Sequence, residues 1–137
     1  MRLTKAADYA IRCILYMAEH KDKAFCHRSE ISEAMDIPSH FLAKVVQKLA
    51  REGIIRITRG AAGGYQLLKP ASDISLLRVI EAIEGKIILS DCLLGDAVCS
   101  RDHVCPVHNI WIDVSGGLRQ KLNDITFDSI VSKSHRD

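Results

Sequence analysis

Two short helix patterns meet at a proline, and this junction restricts the fold more than any other feature of the chain. Ser29 precedes the helical pattern EISEAMD, which Ile37-Pro38 must end, because a residue before proline is pushed out of the helical region. Ser39 is the expected cap of the next helix, HFLAKVVQKLARE, and Gly53 follows as a typical stop. Two helices joined by so tight a turn predict a helix-turn-helix.

A β-hairpin is predicted directly after these helices. Ile54, Ile55 and Ile57 are β-branched, glycines surround the following turn, and YQLL returns as the second strand. A hairpin in this position is the wing of a winged helix. The fold class expected is therefore mainly α with a small β-hairpin wing.

Three more helices complete the pattern, at residues 4–20, at 76–84 and from about 106 to 125. The last is long and has apolar residues at helical spacing: Trp111, Val114, Leu118, Leu122 and Ile125. Gly116-Gly117 interrupts it, so we expect either a kink there or a close neighbour. Thr126 can cap a final short turn.

Bulk properties exclude several classes of protein. The 137 residues suit about one domain, and no apolar run approaches the roughly 18 residues that a membrane helix needs. The first 20 residues lack the pattern of a signal peptide, so a cytoplasmic protein with no membrane contact is expected. No phosphate loop, nucleophile elbow or paired carboxylate pattern indicates an enzyme.

Charge divides unevenly along the chain. Residues 1–70 contain 12 Lys and Arg against 7 Asp and Glu, a net of +5, while residues 71–137 contain 7 against 10, a net of −3. The front half is therefore the part expected to meet a polyanion.

The second helix of the helix-turn-helix has two faces. One face is polar and carries cations but no acid: His40, Lys44, Gln47, Lys48 and Arg51. The other is expected to pack inward: Phe41, Leu42, Val45, Val46 and Leu49. A helix in the major groove of double-stranded DNA places cations against phosphates and short polar groups at its N-terminus against base edges. Ser39, His40 and Lys44 are the candidates for base contact.

The wing adds two arginines, Arg56 and Arg59. An arginine at a glycine-rich hairpin tip can enter the minor groove, where the potential is strongly negative. With Lys48 and Arg51, Arg59 completes the predicted DNA-binding residues.

Five cysteines in a reducing cytoplasm favour thiols or metal ligands over disulfides. Six residues separate Cys92 from Cys99, and five separate Cys99 from Cys105. Thiolates suit iron–sulfur clusters and zinc, but structural zinc sites use tighter spacings, so a multi-atom cluster is favoured. The fourth ligand is either His108 or Asp8 of the partner subunit in a dimer. Cys13 lies on an apolar helix face and is expected to be a core thiol.

The segments MRLTKAADYAIRCILYMA, SHFLAKVVQKLAREGII and RGAAGGYQLLKPASDI, together with the three-cysteine loop, resemble the IscR/NsrR-type regulators of the Rrf2 family. The resemblance runs to about Val131. It implies a homodimer that packs through the long C-terminal helix, binds a palindromic operator and acts mostly as a repressor. It also implies a cluster that senses iron or cluster supply, nitric oxide or redox state.

The same resemblance assigns ligands and boundaries. Cys92, Cys99 and Cys105 match the cluster ligands, His108 matches the histidine of sensors with a [2Fe-2S] cluster, and Asp8 matches the partner aspartate of sensors with a [4Fe-4S] cluster. Ala43 departs from the acidic, base-reading residue of cluster-supply sensors, which leaves the branch open. The implied units are a winged helix-turn-helix at 1–85, a cluster loop at 86–105, and a dimerisation helix with its tail at 106–137.

Two other hypotheses fit the same residues. A zinc-stabilised or thiol-based repressor would use the cysteines without a cluster. An iron–sulfur carrier or redox protein, with a vestigial winged helix, would need no DNA affinity and would leave the basic helix face unexplained.

Overall fold

The structure is a computed structural model that describes residues 2–95, 100–101 and 104–136. Its helices are α1 (Lys5–Glu19), α2 (Arg28–Ala34), α3 (Ser39–Arg51), α4 (Leu76–Glu84), α5 (Pro106–Asn123) and α6 (Phe127–Ser134). Strands β1 (Ile55–Thr58) and β2 (Gly64–Leu67) form an antiparallel hairpin between α3 and α4. The mainly helical fold with a hairpin wing is confirmed. In the part of the chain so described, no helix has the length and apolar character needed to cross a membrane.

Helix α1 occupies the centre of the hydrophobic core. Ala10, Cys13 and Ile14 are fully buried on one of its faces, and α1 packs against α3, α4, α6 and β2. Thr4 caps the helix as predicted, because its Oγ1 accepts a hydrogen bond of 3.1 Å from the backbone N–H of Ala7. The positions of the other helices are therefore set by their packing on α1.

The turn between α2 and α3 is held by local hydrogen bonds. The backbone N–H of Ile37 donates to the carbonyl of Ser32 (3.0 Å), and the Ser32 hydroxyl donates to the carbonyl of Ile37 (2.5 Å). Asp36 has a φ of +53°, a left-handed conformation that aspartate tolerates better than most residues. The turn thus fixes the angle at which α3 leaves α2.

Two predicted caps are wrong. Ser29 lies inside α2, which begins one residue earlier, and the backbone N–H of His27 donates to Glu30 Oε1 at 2.5 Å. Ser39 is the first residue of α3, and Pro38 occupies the cap position. The fixed φ of proline suits a helix start without a side-chain cap, so the cap pattern alone misplaced both boundaries.

The wing depends on a glycine at its tip. Strand register pairs Ile55 with Leu67 and Thr58 with Gly64. A Cβ on Gly63 would lie 2.1 Å from the carbonyl oxygen of Thr58, so no larger residue fits this tip without moving the backbone.

Helix α5 is continuous through Gly116-Gly117, and a Cβ on either glycine would meet no atom within 4 Å in the described residues. The two glycines do not end the helix, and the expected close neighbour is not found among the described residues. The predicted apolar stripe divides instead: Leu118 and Leu122 pack against the cluster around Ile80, while Trp111 and Val114 are exposed. The two halves of α5 thus face different surroundings.

The end of the chain returns to the winged helix. Phe127 of α6 is fully buried in the main core, and its backbone N–H donates to the carbonyl of Ile74 at 3.0 Å. The N–H of Leu76 donates to the carbonyl of Ile125 at 2.8 Å, so the end of α5 is tied to the start of α4.

Phe127→Ala should therefore destabilise the whole winged helix. Removing a fully buried phenyl ring costs about 3–5 kcal/mol of unfolding free energy, measurable by urea denaturation. Leu68→Ala, which truncates an exposed side chain on the same chain, is the matched control and should change the value by about 0.5 kcal/mol or less. Equal effects of both substitutions would show that α6 is not part of the core.

Candidate nucleic-acid interface and metal centre

The polar face of α3 is presented to solvent. Lys44, Gln47, Lys48 and Arg51 are exposed, as is His40 at the N-terminal end. The opposite face is buried through Leu42, Val45, Val46 and Leu49. Because α3 packs on α1 through that apolar face, its cations are held outward on one surface. We name His40, Lys44, Lys48 and Arg51 the α3 basic face.

One residue of α3 does not lie where the sequence predicted. Phe41 was expected to pack inward, but 43% of its surface is exposed. Its ring centroid lies 5.9 Å from that of Tyr9 in α1 and 4.6 Å from that of His40. Phe41 therefore sits at the border between the buried face and the α3 basic face.

The wing and the start of α2 carry further exposed cations. Arg56 and Arg59 are both exposed, and Arg59 directly follows β1 at the tip. Arg28, the first residue of α2, is exposed as well. The sequence analysis missed Arg28, although the first helix of a helix-turn-helix crosses the DNA backbone and a cation at its start can meet phosphate.

Asp8 and the helix-turn-helix are linked through Arg12. The Asp8 carboxylate and the Arg12 guanidinium form an ion pair of 2.7 Å between exposed parts of α1. Arg12 Nη1 also donates to the carbonyls of Met35 (3.2 Å) and Asp36 (3.4 Å) in the turn before α3. A 430 Å³ cavity lies beside this group, lined also by Arg2 and other residues at the start of α1.

The cysteines predicted as ligands are only partly described. Cys92 is half-buried in a 3-10 turn, Asp91–Leu93, that packs against α5, and its thiol donates to Ser90 Oγ at 3.2 Å. Cys105 is half-buried immediately before α5, and Cys99 lies outside the described residues. Among residues 2–95, 100–101 and 104–136, no three potential ligands come together as a metal-binding group.

Two polar atoms on α5 are buried without a hydrogen-bond partner in the described part of the chain. They are His108 Nδ1 and the hydroxyl of Ser115, a residue that is only 5% exposed. Seven residues apart on a helix, they project from nearly the same face. The imidazole nitrogen lies three residues after Cys105 and has no partner among the described residues. It is therefore placed to bind a metal held by the neighbouring cysteine.

The two early cysteines are in a different environment. Cys13 is fully buried, as predicted for a core thiol, and burial raises its pKa to about 12. Cys26 is also buried, and its backbone forms a bridge with Tyr65 beside β2 (2.9 and 2.8 Å); burial raises the pKa of its thiol. Neither thiol is poised to ionise near neutral pH.

Helix α4 makes polar contacts to the end of α3, to α5 and to the start of the cysteine segment at residues 86–105. Arg78 Nη2 donates to the carbonyl of Glu52 at the end of α3 (2.5 Å). Glu81 accepts from Arg119 of α5 (2.9 and 3.1 Å) and from the backbone N–H of Ile87 (2.7 Å). These hydrogen bonds from the Arg119 side chain lower the pKa of Glu81 against the opposing effect of its partial burial, so the carboxylate stays charged.

A model of the Rrf2 family, described as an iron-dependent transcriptional regulator, matches residues 3–133 of the chain. The chain belongs to the Rrf2 family. Its relatives are named transcriptional regulators of the helix-turn-helix type. The chain is therefore a transcriptional regulator of this type and not an enzyme.

Individual Rrf2 relatives have been named and solved. The regulator IscR of Vibrio atlanticus is 34% identical over 96% of this chain and 75% of its own length. The solved structure of T. potens IscR has a TM-score of 0.78 at 19% identity, covering 98% of this chain and 88% of that one. The oxidized form of Staphylococcus aureus CymR has a TM-score of 0.73 at 25% identity and covers 96% of both chains.

Lys48→Ala tests the α3 basic face of this Rrf2 regulator. If Lys48 contacts phosphate, the variant should bind all DNA sequences more weakly, and the slope of log affinity against log salt should fall by about one unit. Fluorescence anisotropy over a salt series measures both. Lys133→Ala, an exposed cation on α6, should leave the slope unchanged; an unchanged slope for Lys48→Ala would remove Lys48 from the interface.

Proposed function

We propose that this chain is a repressor whose operator affinity is controlled by an iron–sulfur cluster. The proposed ligands are Cys92, Cys99 and Cys105, with His108 or Asp8 of the partner subunit in the fourth position. The observation that carries the proposal is the place of the cysteine segment, residues 86–105: it joins α4, which contacts the end of α3, to α5. A bound cluster would supply iron–thiolate bonds that depend on iron supply, nitric oxide or redox state.

Each candidate for the fourth ligand has support. His108 has a buried ring nitrogen with no partner in the described residues, and neutral imidazole binds iron. The Asp8 side chain is about half exposed beside the cavity at the start of α1, where a second protomer can reach its carboxylate. Binding of the Asp8 carboxylate to the cluster would compete with its ion pair to Arg12. Because Arg12 also donates to the turn between α2 and α3, loss of the ion pair would alter the contacts of that turn.

A homodimer is part of the proposal because α5 exposes apolar side chains over its first half. They are Val107, Ile110, Trp111, Ile112 and Val114. Four of them, Val107, Ile110, Trp111 and Val114, project within about 100° of one another around the helix axis, and an exposed apolar stripe of this kind is typical of an interface between proteins. Two copies paired through α5 would present two α3 basic faces, which suits a palindromic operator.

Helix α4 offers a route from the cysteine segment to DNA. The segment begins at a backbone group, the Ile87 N–H, that Glu81 holds together with Arg119. One turn earlier, Arg78 holds the C-terminal end of the recognition helix. A rearrangement of the cysteine segment would therefore pull on α4 and shift α3, and half-site spacing makes operator binding sensitive to small shifts.

Protein purified and reconstituted without oxygen should be coloured, with broad visible absorption and stoichiometric iron and sulfide. Cys99→Ala should be colourless yet remain a folded dimer by circular dichroism and size-exclusion chromatography, because it removes a proposed ligand and shortens only one small side chain. Cys13→Ala, a cysteine substitution in the core, is the matched control and should keep its colour. A Cys99→Ala variant that retains iron and sulfide would exclude Cys99 as a ligand.

A second candidate, a thiol-based or zinc-stabilised repressor, is favoured by one comparison, since S. aureus CymR has been solved in an oxidized form. Burial raises the pKa of the Cys13 and Cys26 thiols, so this candidate would act through the late cysteines instead. Colourless protein with one equivalent of zinc, or operator affinity that changes on oxidation with no iron bound, would favour this candidate.

Glu81→Gln tests the route through α4. The substitution keeps the shape of the side chain but removes its charge, which weakens the bond to Arg119. We expect the ratio of operator affinities between cluster-loaded and cluster-free protein to move towards one. Glu84→Gln alters a carboxylate on the same helix that accepts from the backbone of Thr4 and should leave the ratio unchanged. If both variants keep the wild-type ratio, the signal does not pass through Glu81.

A further inference from the structure

Phe41 lies at the edge of the α3 basic face, the surface proposed to bind DNA. Helical residues turn by about 100° each, so Phe41 projects about 20° from Lys48 and about 60° from Lys44. It belongs to the first turn of α3, and the N-terminal part of a recognition helix is where base edges are contacted. An aromatic ring that is 43% exposed is thus placed among cations in the reading position.

The ring is held in place. Its centroid lies 5.9 Å from that of Tyr9 at an interplanar angle of 51°, and 4.6 Å from that of His40 at 40°. Tyr9 is itself buried in α1, with the Arg12 guanidinium 5.6 Å from its ring. One side of Phe41 is therefore fixed against the core while the other is open, so little conformational entropy remains to be lost on binding.

The chemistry of the ring selects one feature of DNA. A phenyl group neither donates nor accepts a conventional hydrogen bond, and the apolar group that base edges display in the major groove is the 5-methyl group of thymine. The neighbouring cations Lys44 and Lys48 are complementary to a polyanion. We propose that Phe41 reads the methyl group of a thymine in each operator half-site. This inference rests on the DNA-binding part of the proposed function and is independent of the cluster.

The experiment replaces single thymines by deoxyuridine, which removes only the methyl group. An operator is first selected by the full-length protein from a pool of random duplexes, in the cluster-loaded and cluster-free forms separately. Each thymine of one half-site is then exchanged in turn, and affinity is measured by fluorescence anisotropy at fixed salt. One exchange should weaken binding of the wild type about fourfold, the value expected for one buried methyl group.

Phe41→Ala should bind the thymine and deoxyuridine operators equally, and Phe41→Leu, which keeps an apolar side chain, should retain part of the difference. Circular dichroism and thermal melting check that both variants fold, and the Leu variant keeps the test valid if the Ala variant does not. The proposal is overturned if no exchange affects the wild type, or if the variants show the same loss as the wild type. Failure to select any operator with either form would contradict DNA binding itself and so both proposals. An operator that the cluster-loaded and cluster-free forms bind equally would contradict only the sensing proposal.

Discussion

Burial of one face of α1 is the interaction on which the rest of the structure depends. Ala10, Cys13 and Ile14 leave no exposed surface, and the three helices α3, α4 and α6 pack on the same helix. Because protein cores are close-packed, none of these helices moves without repacking α1. Helix α3, the recognition helix, is therefore held rigidly, and its position changes only when the core repacks. A sensor built on this fold must act by small displacements of whole elements, since a loose α3 would lose its register on DNA.

Polar contacts supply the connections that the apolar core does not. Arg12 joins α1 to the turn before α3, Arg78 joins α4 to the end of α3, and Glu81 joins α4 to α5 and to the start of the cysteine segment. The turn before the recognition helix α3 and the residue that follows it are thus held by arginines that donate to backbone carbonyls. Arg12 lies on α1, which also carries the proposed ligand Asp8. Arg78 lies on α4, which contacts the start of the cysteine segment through Glu81. The core fixes where α3 sits, and these contacts are the means by which the sensing elements can bias it.

Sequence patterns predicted the elements well and the contacts between them poorly. Helical periodicity located α1, α3 and α4 within about a residue, because one buried stripe per helix dominates the pattern. It misjudged Phe41, which lies at the border between two faces where the pattern cannot decide burial. It also missed the bonds of Arg12 to residues 23 and 24 positions away, since local sequence carries no trace of them. The metal centre rests on the donor chemistry of the cysteines and on the family resemblance, because spacing fixes neither the fourth ligand nor the cluster type.

The division of α5 ties the proposed interface to the proposed sensor. Its second half is packed within the chain through Leu118 and Leu122, so this half is fixed relative to α4. Its first half exposes apolar side chains, begins directly after Cys105 and carries the His108 ring nitrogen that has no partner among the described residues. If two copies pair through that half, each cysteine segment lies next to the subunit interface, and a change in the segment alters both the anchoring of α4 and the packing between subunits. Operator binding depends on the distance between the two recognition helices. The anchoring of α4 and the packing between subunits would both change that distance.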